Sequence, residues 1–197
     1  MFIITLNINL SLVEVKHQIS FNHLLAIMNG LDDNYFDEDR RNTTIIIKDK
    51  IIRGPGNNIF HQQSFENRIE FKDCVFEVGF MFGPSKFKGS IYFSNCVFKD
   101  GIWWQNCEFG EFFVFSKCML YKSINISAFD CYRFHFDDCV IYDMLVLAEG
   151  VIKRSENRTY GRMGGSFSNV KAEHIRLLNN DLGSLSITYH YIGKIEV

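Results

Sequence analysis

The sequence predicts an all-β fold, a right-handed parallel β-helix (solenoid) of about 22 residues per coil, with a short N-terminal capping strand and helix. Three observations carry this. Cys74, Cys96 and Cys118 are each 22 residues apart, and Cys139 follows after 21. Around them the chain divides into blocks of eleven, with positions 1, 3 and 8 mostly apolar and position 6 Cys or another small residue. The 197 residues, enough for one domain, include 20 Phe and are 47% hydrophobic, so the chain has ample apolar surface to bury and does not read as disordered.

Residues 1–42 stand outside the register and read as an N-terminal cap or arm, with the solenoid domain spanning 43–197. Phe2, Ile4, Leu6, Ile8, Leu10 and Leu12 alternate like a half-buried strand. Ser20 is placed to cap a short helix from Phe21, which Gly30 would stop. A solenoid end exposes strand edges and apolar side chains, which explains the need for a cap. Asp32, Asp33, Asp37, Glu38 and Asp39 lack the glycine and terminal Glu of an EF-hand and read as a solvated loop balanced by Arg40 and Arg41.

Ile45, Ile47 and Ile52 start the first coil, with RGPGNN from Arg53 as a corner loop. The blocks then begin at Ile69, Phe80, Ile91, Ile102, Phe113, Ile124, Phe134 and Leu145, the one from Ile124 having ten residues. Each block holds two short strands that show alternate side chains to one face, and is too short for a crossover helix. Two blocks close a four-sided coil, so residues 22 apart stack at the ~4.8 Å spacing of neighbouring strands. The predicted internal ladders are Cys74, Cys96, Cys118, Cys139; Phe76, Phe98, Leu120, Ile141; and Phe71, Phe93, Phe115, Phe136. The opposite half-coil gives Phe82, Trp104, Ile126, Leu147; Phe87, Phe109, Cys131, Ile152; and Ser85, Cys107, Phe129, Gly150. Residues 153–165 interrupt the pattern as a projecting loop, where Arg154, Arg158, Tyr160 and Arg162 could meet phosphate or an acidic protein surface. From Gly165 the pattern returns with a period of ten, through Ile175, Leu185 and Ile195. The right-handed preference of parallel crossovers sets the expected hand.

FKDCVF from Phe71, FSNCVF from Phe93 and FDDCVI from Phe136 resemble divergent pentapeptide-repeat proteins. The resemblance covers residues 69–152 well and 165–197 loosely, and this chain departs from it by adding a sixth residue at alternate corners. It implies a square right-handed β-helix. Some members of that family protect DNA gyrase by imitating DNA, which makes a DNA-mimicking topoisomerase protector one alternative function. Fold alone decides none of this.

The formal net charge of −2 argues against a direct nucleic-acid surface and against rows of carboxylates spaced like phosphates. No stretch approaches the ~20 apolar residues that span a bilayer, and no secretory signal is evident, so the expectation is a cytoplasmic protein with free thiols and no membrane contact. The six Cys form no C-x-x-C, and the six His share no metal-like spacing with them, so neither metal nor other cofactor is expected. Asp137 and Asp138 are sequence neighbours, so on a strand they point apart and cannot act as a carboxylate pair. The chain therefore reads as non-enzymatic. Outward positions are more informative: Val75, Val97, Met119 and Val140 form an apolar stripe, with Tyr92, Val114 and Trp103 on nearby outward rows. The leading expectation is a protein-binding or scaffold solenoid that associates through this stripe, covered either by the N-terminal strand and helix of residues 1–30 folding back over it or by another chain, as a homodimer or partner contact. A polysaccharide-binding or polysaccharide-cleaving β-helix, with Trp103 and Tyr92 lining a groove, is the other alternative.

Overall fold

The computed structural model describes residues 17–37, 43–55, 58–152, 164–182, 184–188 and 191–197. Parallel strands stack as a β-solenoid of about six turns spaced ~22 residues apart. Among the described residues they form sheets of seven, twelve and five strands. Followed from Arg68, one coil gives Arg68–Lys72 to the seven-stranded sheet, Val75–Phe76 and Phe80–Phe82 to the twelve-stranded sheet, and Ser85–Phe87 to the five-stranded sheet. Each coil thus has four sides, and the twelve-stranded sheet covers the second and third.

All six ladders expected from the spacing are present. Phe71, Phe93, Phe115 and Phe136 are directly paired, as are Phe82, Trp104, Ile126 and Leu147. Rings in the first column stack at 4.9, 4.8 and 5.0 Å between centroids, because strand spacing matches ring stacking. Each stacked pair adds about 0.5–1.5 kcal/mol to the gain from burying the rings themselves. Trp104 is 1% exposed and fills the tube among Phe87, Phe93, Phe109 and Phe115.

The cysteine column has a role that packing volume alone does not supply. Each thiol lies between two carbonyls, one from the preceding coil (Ile47, Phe71, Phe93 and Phe115 for Cys74, Cys96, Cys118 and Cys139, at 3.3, 3.6, 3.4 and 3.4 Å) and one two residues back in its own coil at 3.3–3.4 Å, and its single hydrogen can serve either. A small apolar side chain with a weak donor suits a buried corner, where an unmet carbonyl is costly. All six cysteines are free and buried.

The residue just before this column turns the corner in left-handed backbone. Asp49, Asp73, Asn95, Lys117, Asp138 and Asn169 have φ of 54, 55, 54, 55, 51 and 50°. Asn and Asp tolerate this region best among residues bearing a Cβ. The Asn95 amide donates to Asp73 Oδ1 and the Asn169 amide to Asp138 Oδ1, both at 2.6 Å. Within the corner row Asp73, Asn95, Lys117 and Asp138, the side chains of Asn95 and Asp73 are thus linked, whereas Lys117 contributes no side-chain link.

The spacing is not uniform. Ile45 pairs with Ile69, 24 residues on, and the two additional residues fall in the stretch from Arg53 to Asn58. Phe134 pairs with Gly165 across the interruption, and Gly165 pairs with Leu185, so the last coil is only 20 residues long. At Val140–Ala148 a single strand runs through the corner between the second and third sides, with a register shift between Ile141 and Met144.

At the N-terminal end, His17–Ser20 pairs with Lys50–Arg53 and extends the twelve-stranded sheet. The Ser20 hydroxyl accepts from the His23 amide at 3.2 Å and caps the helix Phe21–Met28, as the sequence predicts, and Gly30 leaves it at φ 72°. Phe21 stacks on Phe60 at 4.6 Å, and Leu24 and Met28 pack toward Phe71, Phe76 and Phe93. The helix therefore buries its apolar face on inward-pointing rings of the first coils. The strand expected over residues 2–12, and Glu38 to Arg41 of the acidic loop, lie outside the described residues.

Candidate interaction surface

The second side is built from two-residue strands, Val75–Phe76, Val97–Phe98 and Met119–Leu120, continued by the start of Val140–Ala148. The second residue of each points inward, which forces the first outward. Val75, Val97, Met119 and Val140 are consequently paired in one half-buried row. Ile51 extends the row by one coil, and Gln18 and Lys171 end it with polar groups.

Two further rows border this stripe. On one edge is the left-handed corner row described above. On the other are Arg53, Glu77, Lys99, Tyr121 and Tyr142. Glu77 is clamped by Arg53 and by Lys99, at 2.9 Å from the latter, and these cations hold its carboxyl below the usual carboxylate range. Tyr121 and Tyr142 stack at 5.0 Å with their planes 8° apart, and each is 45% exposed. Sequence reasoning missed this pair, although the 21-residue spacing of two tyrosines just past the stripe carries the signal.

Trp103 stands on the third side, in the row Ile59, Met81, Trp103, Asn125 and Val146. Its indole lies over two corner glycines. A Cβ built on Gly101 would meet Trp103 Cη2 at 2.4 Å, and one on Gly79 would meet Cζ3 at 3.2 Å. The absent side chains let the ring fold onto the corner shared with the stripe, and it remains 40% exposed. Trp103 therefore shares the twelve-stranded sheet with the stripe.

Tyr92 and Val114 do not. They belong to the seven-stranded sheet on the first side, so the seven residues singled out from sequence are divided among three successive sides of the coil. Beside Tyr92, Glu70 points outward yet is only 4% exposed, bound by Arg68 at 2.7 Å and Lys72 at 2.9 Å. The Arg68 guanidinium sits 4.1 Å from the Tyr92 ring centroid. Arg-x-Glu-x-Lys on one strand face is the sequence signal for this cluster. Arg154, Arg158, Tyr160 and Arg162 lie outside the described residues.

Glu70 and Glu77 on these outer rows are paired with cations, and Asp73 and Asp138 of the corner row accept from Asn amides. Asp137 and Asp138 take separate directions: Asp137 ends the strand Arg133–Asp137, whereas Asp138 turns the corner and accepts from Asn169. Burial pushes the Cys107 thiol up to about 12 and also raises Cys118, so these thiols stay protonated. The fourth side carries a groove of about 490 Å³ lined by Gln63, Lys86, Glu108 and Asp130, with Lys86 bound to Glu108 at 3.1 Å. Among the described residues, no group of three or more His, Cys, Asp or Glu is arranged to hold a metal ion. Nor is any described helix long and apolar enough to cross a membrane.

Comparison with protein-family models, with curated proteins and with solved structures returns no match.

Proposed function

We propose that this solenoid is a noncatalytic binding or scaffold protein whose docking surface is the outer face of the twelve-stranded sheet. One observation carries the reading: an unbroken apolar row five coils long, Ile51 to Val140, runs beside the exposed rings of Tyr121, Tyr142 and Trp103. Aromatic rings presented on a rigid sheet bind protein surfaces with little loss of side-chain entropy. The partner is another protein or a second copy of this chain. The F-x-x-C-x-F units support kinship with pentapeptide-repeat proteins, whereas the cation-paired carboxylates argue against DNA mimicry. Six free thiols support a reducing, cytoplasmic setting.

The test is the double substitution Val97→Asp and Met119→Asp, at two adjacent half-buried positions. The expected result is loss of self-association in light scattering, or loss of the partners that the native protein captures from its own cells. An unchanged assembly state together with unchanged partners refutes the reading.

A further inference from the structure

Two outward rows climb the second side in step, one residue of each per coil. The stripe runs Ile51, Val75, Val97, Met119, Val140 and Lys171, and the row beside it runs Arg53, Glu77, Lys99, Tyr121, Tyr142 and Glu173. Glu173 follows the inward Ala172 on the last of these coils and is exposed. The helix Phe21–Met28 packs on inward rings at the tube end rather than over the stripe.

The order of groups in the side row is self-complementary. From the N-terminal coil onward it runs cation, carboxylate, cation, tyrosine, tyrosine, carboxylate. Turned end over end against itself, the row sets Arg53 against Glu173, Glu77 against Tyr142 and Lys99 against Tyr121, each pair occurring twice. Opposite charges attract, a phenol donates to a carboxylate, and an ammonium meets a hydroxyl or a ring. Arg53 and Lys99 already hold Glu77, through a guanidinium and an ammonium that each carry further N–H groups. The same turn lays Val97 on Met119, Val75 on Val140 and Ile51 on the aliphatic stem of Lys171. On the other flank Asp49 faces Asn169 and Asn95 faces Lys117, while Asp73 faces Asp138, each of these two accepting from an Asn amide of its own chain.

Other arrangements fit less well. A shift of one coil brings Lys99 onto Lys99 of the second copy in one direction, and Glu77 onto Glu173 in the other. A parallel contact brings Lys171 onto Lys171 and Glu77 onto Asp73. Resting on the docking surface proposed above, we infer that its occupant is a second copy of this chain, packed face to face and antiparallel, with a two-fold axis between Val97 and Met119. Such a contact is isologous, residue i meeting j and j meeting i. The face measures about 13 by 24 Å, from the strand rise between the flanking rows and the spacing of the coils. The contact is therefore small, and the dimer reversible.

The test mixes the full chain carrying Val75→Cys with the full chain carrying Val140→Cys and adds a bismaleimide of ~8 Å reach, suited to sheet faces ~10 Å apart. The six native thiols are buried, and both new ones stand at half-buried outward positions. In this dimer Val75 faces Val140, whereas like positions stand three coils apart, ~14 Å along the tube and beyond the reagent. The expected result is a covalent dimer in the mixture and none from either variant alone. Light scattering on the native chain should show a mass rising from one chain toward two between ~1 and ~500 µM. The antiparallel dimer is overturned by a single-chain mass at ~500 µM, by a dimer that the mixture does not crosslink, or by either variant crosslinking with itself. A monomer that captures another protein, and loses it on Val97→Asp plus Met119→Asp, retains the docking surface and removes only the second copy. A monomer that captures nothing removes both.

Discussion

Lys117 is the residue at which the corner column departs furthest from its own rule, and replacing it should stabilise the fold. Its φ of 55° is a conformation that costs an L-residue with a long side chain roughly 1–2 kcal/mol. Its backbone amide is satisfied by the Asp137 carbonyl at 2.8 Å, so the corner holds the strain rather than relaxing it. Lys117→Asn keeps that bond and lowers the conformational cost. The new amide would also stand between Asn95 and Asp138, repeating the 2.6 Å links at Asn95–Asp73 and Asn169–Asp138. A solvent-exposed hydrogen bond adds about 0.5 kcal/mol, the low end of the usual range. The two contributions give a gain of about 1 kcal/mol, or an increase in Tm of ~2–4 °C for a chain of this length. Ser116→Asn, one residue earlier on an extended strand, is the control. Thermal melting followed by circular dichroism decides the matter. A Tm for Lys117→Asn no higher than wild type, or a gain matched by the control, would refute the assignment of strain to this corner.

Gly165 is the inward ladder partner of Phe134, and a Cβ there would approach Phe134 Cζ to 1.9 Å. Gly165→Ala should therefore destabilise by ~1–3 kcal/mol through overpacking, read as a lower denaturant midpoint. The six thiols are buried and free, so a thiol reagent should label none in the native protein and six after denaturation. Rapid native labelling at Cys118 would show that the tube opens on the timescale of the reaction.

The interior was legible because parallel stacking repeats the same side-chain environment every coil, which writes the core into the spacing of Phe, Ile and Cys. The same regularity located the corners, but not their backbone. Asp73 and Asn95 suit a left-handed turn, whereas Lys117, Ala128 and Glu149 share that geometry without its usual residue types. Outward residues were legible as rows but not as surfaces. The seven chosen residues are all half-buried or exposed, yet assigning them to sides requires knowing where each coil bends. Trp103 lies onto the corner beside the stripe over glycines whose role depends on an indole position that spacing does not encode. Glu70 is hidden by neighbours two residues away on its own strand, an effect of side-chain reach rather than pattern.

Because each coil pairs only with the coils on either side, this molecule is quantised in length. Removing residues 91–112 would bring Phe71 beside Phe115, Cys74 beside Cys118 and Phe76 beside Leu120, restoring every ladder with a shorter tube. Removing eleven residues would instead set the first side against the third and the second against the fourth, interrupting all three sheets. Gene duplication or loss in steps of one coil can thus lengthen or shorten the apolar row, and with it the reach of the docking face, without inventing a new core.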